Sequence, residues 1–373
     1  MGTRGTHTTD ASAAAGQAGF SIIEMMISMG IMVAVTGAIF QMVSSGQSAF
    51  RTQPEVADVH QRLRIAADMI YKDLLSAGAG PYVGASVGPI SNFLPAIRPG
   101  RYGALDPDAE LTFASDRITI VYVPRTRVQT TLAVDMGGPT VDLQVDTTAG
   151  GCPAGGPCGF APGMRGLIFD TTAVGAGYDL FTATTVNVTQ VGHGGSNPTF
   201  SKSYLANVSR VVEVKQPVYY LDAANNQLRH YDGYETDLPL VDDVVGLTFT
   251  YFANPDPNNA PKPPTGLGNC VYAAGDPPAP LLANLGTSTL TALTSSQLTD
   301  GPVCGMAPNQ FDGDLLRVQK IGVTIRVQVA REALRGDDPL QFANLGTATR
   351  GSAWVPDYTM RFQVTPRNLN LLR

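Results

Sequence analysis

Ionisable side chains are scarce in this chain of 373 residues. Lys and Arg number 25 and Asp and Glu 31, together 15 per cent, and the formal charge is −6. That balance leaves no electrostatic footprint for nucleic acid, which is bound through clustered basic side chains. Histidine is scarcer still, with four in all. His7 precedes the first apolar run, His60 falls on a helical stretch, and His193 and His230 fall in loop or hairpin contexts. Each reads as a satisfied surface histidine rather than a catalytic base. No phosphate-binding loop and no His-Glu-x-x-His helix occurs, so the usual signals of nucleotide and zinc-protease chemistry are missing. The nucleophile-elbow pattern around Ser86, from Gly84 to Gly88, lacks the strand before it and the helix after it that the motif needs. It follows a helix terminator and precedes Pro89. A membrane-anchored hydrolase using Ser86 is thus the rival from another class, and the chain is not expected to be an enzyme.

Acidic pairs such as Asp242-Asp243 and Asp337-Asp338 have no spaced set of oxygen ligands around them, so they read as solvated loops rather than Ca²⁺ sites. No cofactor is expected. Glycine and proline, by contrast, are abundant at 40 and 27 residues, which suits a loop-rich, β-rich domain outside the cytoplasm.

Long apolar runs are confined to one place. From Phe20 to Phe50 the sole ionisable side chain is Glu24. The densest part, 20–43, makes about 36 Å of helix at roughly 1.5 Å per residue, enough for a bilayer core of about 30 Å. A carboxylate inside such a span costs about 3 kcal/mol on insertion scales, so it needs a partner and a purpose. Residues 1–19 are small and polar with no helical or strand period, and read as a removable segment rather than a domain. A secretory signal would place its small-residue cleavage site after the apolar run, whereas Gly19 comes before it.

The stretch Gly19-Phe20-Ser21-Ile22-Ile23-Glu24 resembles the processing site of type IV prepilins and of type II secretion pseudopilins. The resemblance implies that a prepilin peptidase cuts after Gly19, that Phe20 becomes the N-methylated N-terminus, and that Glu24 is the fifth mature residue. It also gives Glu24 a partner, the Phe20 amine of a neighbouring subunit. A buried pair satisfies both charges, while an unpaired one is heavily penalised. Two features depart from the family pattern. The leader has Arg4 as its one basic residue, balanced by Asp10, so the positive-inside signal is weak. Gln41 stands where major pilins often carry a helix-loosening Pro, leaving Gly30 and Gly37 as the soft points of the span.

Beyond the span, Val56, Val59, Leu63, Ala66, Ile70 and Leu74 recur at helical spacing, with Arg62, Arg64, Asp68 and Lys72 largely off the stripe. Pro54 marks a restart or kink, and the glycines and Pro81 of residues 76–81 end the helix. Thereafter the period is two. Ile118, Ile120 and Tyr122 alternate; so do Val245, Leu247, Phe249 and Tyr251; so do Ile321, Val323, Ile325, Val327 and Val329, with Lys320, Thr324, Arg326 and Gln328 on the other face. Residues 222–227 read as a hairpin turn. The order of these segments is also similar to that of large minor pilins of the PilW kind and of J-type pseudopilins.

The expected fold class is therefore α+β: a pilin-like long N-terminal helix packed on an antiparallel β-sheet head. The domains read as a cytoplasmic leader at 1–19, a transmembrane half-helix at 20–43, its amphipathic continuation at 44–78, and an extracytoplasmic head at 79–373. Variable insertions are expected at about 82–205 and 253–310. Four cysteines remain. Cys152 and Cys158 have five residues between them and Cys270 and Cys304 thirty-three, whereas zinc sites favour two to four. An oxidising exterior favours two loop-closing disulfides, and pairing by neighbour is one of three connectivities. The resemblance implies a minor pilin-like structural subunit, priming assembly or sitting at or near the tip, or else a type II secretion pseudopilin. Its partners would be other pilins and minor pilins, the prepilin peptidase and the inner-membrane assembly platform. Its location would be the inner membrane and then a pilus or pseudopilus.

Overall fold

The computed structural model describes residue 2 and residues 19–80, 94–125, 128–148, 152, 157–171, 178–194, 199–263, 265–305, 307, 309–349 and 354–370, with the side chains of 44–49 and 51 excepted. The chain forms two compact units, Met1–Pro54 and Glu55–Arg373. A single α-helix, α1, is assigned from Ile22 to Ser76 and includes Pro54 without interruption.

In the first unit the helix is apolar all round and exposed throughout its described side chains up to Val43. Ile22–Val43 is the one described stretch long and apolar enough to cross a membrane, and it suits a membrane anchor or a signal sequence.

In the second unit α1 is amphipathic, and its stripe is the centre of the main core. Val59, Leu63, Ala66, Ile70 and Leu74 are all buried there, with Val56 packed at the margin. The helix stops where Gly78 adopts a left-handed φ of 74° and its amide bonds the Val121 carbonyl at 3.0 Å. Such a position favours glycine, and a Cβ here would also sit 3.1 Å from Leu369.

Two antiparallel sheets carry the rest of this core. The first orders the short strand Ile97–Arg98, then β1 (Arg117–Ile120), β2 (Val218–Asp222), β3 (Gln227–Tyr231) and β4 (Asp237–Asp242). The β2–β3 hairpin closes with Asp222 opposite Gln227, and Asp222 accepts the amides of Ala224 and Asn225. This is the turn chemistry that the Asp and Asn residues announce. The second sheet orders Thr291–Ala292, β5 (Val244–Ala253), β6 (Val318–Val327) and β7 (Tyr358–Val364). Leu247 lies opposite Ile325, Phe249 opposite Val323 and Tyr251 opposite Ile321, all buried.

The period-two reading needs correction at two strand ends. A register shift between Val244 and Gly246 turns Val244, not Val245, into the core. A bulge inserts one residue, so the alternation slips by one. At the other end β6 stops at Val327, and Gln328 is buried, its amide oxygen accepting from Asn344 at 3.1 Å.

The expected insertion at 82–205 has its own cores. Strands Gln129–Thr131, Ser209–Glu213, Arg165–Asp170 and Tyr178–Thr182 form one sheet, and Leu143–Gln144, Gln190–Gly192 and Thr185–Val186 another. Phe181, Phe200, Tyr204 and Val211 fill one cluster, and Leu167, Phe169 and Val212 a second. Residues 253–310 carry two short hairpin pairings, Tyr272–Ala273 with Ala279–Pro280 and Val303–Cys304 with Phe311–Asp312.

Polar ties fix α1 to the strands. Arg62 bridges Asp58 one turn back, at 2.7 Å, and Asp243, where the chain turns from β4 into β5. Asp73 accepts the Tyr219 hydroxyl at 2.7 Å. Burial, and then the Asp73 charge, push the Tyr122 phenol beside it up to about 12. Truncating the stripe should unfold this unit readily: Ile70→Ala should cost about 2–5 kcal/mol through its cavity. Ile27→Ala, on the exposed apolar stretch, should change it by about 0.5 kcal/mol or less. Urea unfolding of the full chain in detergent, followed by the fluorescence of Trp354, measures both.

Candidate assembly site

The helix begins with a pair of reciprocal hydrogen bonds. The Ser21 amide donates to Glu24 Oε2 at 3.2 Å, and the Glu24 amide donates to Ser21 Oγ at 3.3 Å. This is a capping box, in which two side chains satisfy amides that an α-helix start leaves without partners. The Ser28 hydroxyl donates to the Glu24 carbonyl at 2.7 Å. Glu24 thus has a local task, strengthened by the partial positive charge of the helix N-terminus. The signal Ser-x-x-Glu before an apolar run is present in the sequence at Ser21 to Glu24. The cap and an intersubunit charge pair are compatible uses, because the cap engages Oε2 alone and the side chain is exposed.

Immediately before the cap, Gly19 and Phe20 are non-helical and exposed, Phe20 by 87 %. A Cβ on Gly19 would meet nothing within 4 Å, and its φ is not left-handed. Neither packing nor backbone geometry therefore requires glycine there. A Cβ at Gly30 or Gly37 likewise meets nothing within 4 Å. Each glycine still costs its helix about 1 kcal/mol relative to alanine.

The four cysteines form two disulfides, Cys152 with Cys158 and Cys270 with Cys304. By loop-closure entropy the shorter bridge contributes about 2 kcal/mol and the longer about 4 kcal/mol. The longer bridge ties the loop between the hairpins of 253–310 to the main core, where Cys304 is buried.

Ser86 and His7 lie outside the described residues. The remaining histidines are not all on the surface. His60 is exposed and meets Tyr358 edge-on at 4.6 Å. His230 is half-buried beside Tyr219, at 5.0 Å between rings. His193, expected on the surface, is 1 % exposed: it stacks on Phe200 at 4.0 Å, and its Nε2 lies 3.1 Å from the Val141 carbonyl. The insertion that carries it builds a core of its own, which a reading of one loop could not show.

The acidic pairs are not all solvated loop residues, since Asp242 ends β4 and Asp243 is partly buried. Asp242 accepts from Gln227, Asp243 pairs with Arg62, and Asp338 accepts the Leu340 amide. Another carboxylate group is assembled by the fold and is not marked by sequence spacing: Asp300, Asp312 and Asp314 bring oxygens within 4.8 Å of one another. Two of Asp312's contacts are backbone amides, those of Gly301 and Asp314. Asp314 pairs with the fully buried Arg317, whose guanidinium supplies the positive charge the group needs.

No family model matches the chain, and no curated protein or solved structure matches it.

Burial pushes the Asp314 carboxyl up to about 6; Arg317 opposes the shift, and Asp312 and Asp300 add to it. Folding therefore favours the protonated form. The stabilisation is complete below the ordinary value of 3.8 and is lost as pH rises through about 6. In urea unfolding between about pH 4 and pH 7, Asp314→Asn should show a shallower decline in stability than the parent chain. Parallel curves would mean that Asp314 does not titrate in this window.

Proposed function

We propose that the chain is a minor pilin-like structural subunit of a type IV pilus. It is processed between Gly19 and Phe20, held in the inner membrane by 20–43 with the head outside, and recruited to the filament through its N-terminal helix. There it primes assembly or sits at or near the tip, and its partners are the prepilin peptidase, the assembly platform and other pilins.

The observation that carries this reading is the Gly19-Phe20 step. A glycine that the fold does not require stands in an exposed, non-helical segment directly before a capped apolar helix. An endopeptidase needs an accessible, non-helical bond, and the helix is capped at Ser21 and begins at Ile22, beyond that bond. The apolar stretch supports a membrane-borne start, because its side chains up to Val43 are all exposed among the described residues. Assembly supplies a cover: helices packed side by side remove that surface from lipid or water, and the exposed Glu24 carboxylate offers the negative charge that a neighbour's new amine needs. Two disulfides support a head that folds in an oxidising compartment.

Mass spectrometry of the protein from cells that carry a prepilin peptidase tests the reading. The expected N-terminus is methylated Phe20, and Gly19→Val should retain residues 1–19 while the head keeps both disulfides. Wild-type protein with an uncut Gly19-Phe20 bond would refute it.

A further inference from the structure

Strand β7 ends its sheet, and among the described residues no strand pairs with its outer edge. Most other exposed edges are short or blunted. Ile97–Arg98 and Thr291–Ala292 have two residues each, Gln129–Thr131 has three, and β4 carries Pro239 and a register shift. β7 has seven residues and no proline or bulge, so it presents a straight row of backbone donors and acceptors.

Its side chains alternate strictly. Tyr358, Met360 and Phe362 point to the α1 side and are half-buried; Thr359, Arg361 and Gln363 are exposed on the other face. On the α1 side, Tyr71 meets Phe362 edge-on at 6.5 Å, yet Tyr71 and Leu75 each remain 44 % exposed. The apolar flank of the helix therefore extends past the last strand. A further strand, about 4.8 Å beyond β7, would lay its inward side chains on that flank and cover Met360 and Phe362.

Arg361 indicates what such a strand carries on its outward face. Its neighbour across the sheet is Thr324, and the nearby Arg326 is already paired with Asp357 at 2.9 Å. Arg361 makes no ion pair among the described residues. In the fully overlapped antiparallel pairing of two copies, Arg361 would face its own mate, which destabilises a self-dimer.

We propose that β7 is a strand-addition site for an extended segment of a partner protein, with alternating apolar residues towards α1 and a carboxylate opposite Arg361. Backbone hydrogen bonds supply the affinity, and the apolar flank and the Arg361 pair supply the selectivity. The site stands on the geometry of the head and does not depend on the pilus reading.

Hydrogen exchange of the full chain in detergent tests it with two probe peptides, Val-Thr-Val-Glu-Val-Thr-Val and the same peptide with Lys in place of Glu. The Glu peptide should slow exchange of the 358–364 amides and bind about fivefold more tightly than the Lys peptide, the range of a cross-strand charge pair. Arg361→Glu, on an exposed face, should invert that preference while exchange in β5 and β6 stays unchanged. Three results would overturn the proposal: no protection of 358–364 by either peptide, equal protection by both in both chains, or protection that grows with protein concentration alone. The last would make β7 a self-association edge.

Discussion

An amphipathic helix that lies against two antiparallel sheets has one way to hide its stripe, and Glu55 to Arg373 depends on it. Val59, Leu63, Ala66, Ile70 and Leu74 reach solvent hardly at all, and they meet Ile118 and Ile120 from one sheet and Phe249, Ile321 and Val323 from the other within a single cluster. Each of the Val, Leu, Ile and Phe side chains among them contributes about 1.5–3 kcal/mol on burial. The polar ties of Arg62 to Asp243 and Asp73 to Tyr219 then fix where along the strands the helix sits. The disulfide-bounded loop and the segment around Arg317 extend this same core, to which they contribute Tyr272, Leu298, Leu315 and Leu316.

The same helix presents the opposite situation at its start. From Ile22 to Val43 it is apolar on every side, and among the described residues its side chains are exposed. A helix of that kind is stable in a bilayer or packed among other helices, and not as a solvated spacer. Ser21 and Glu24 complete its first turn from within, so the helix has a defined beginning before any partner arrives. The question of Glu24 thus divides into a local cap, visible in the geometry, and an intersubunit charge pair, which is proposed.

What could be read from the sequence followed from periodicity. The stripe on α1, the alternation in β6 and the 222–227 turn were legible because each is a local pattern with a physical period. The capping box is equally local, because Ser21 stands three residues before Glu24 at the head of an apolar run. Other features needed the third dimension. Nothing local distinguishes Val244 from Val245 at a bulge, and Asp300 joins Asp312 and Asp314 because the pairing of Val303–Cys304 with Phe311–Asp312 folds the chain back on itself. That β7 is an edge is a property of strand order, to which its own residues give no clue. The buried His193 belongs to a core formed by several dispersed strands.

The central claim is that the charge of Glu24, and not its capping geometry, recruits the subunit. Glutamine separates the two, because it can keep a capping box while removing the carboxylate. Crosslinking of the Glu24→Gln chain to partner pilins in cells, with membrane level and both disulfides checked alongside, is the direct measurement. The account predicts normal membrane level, intact disulfides and a loss of partner crosslinks; crosslinks equal to those of the parent chain would contradict it and leave Glu24 a helix cap alone.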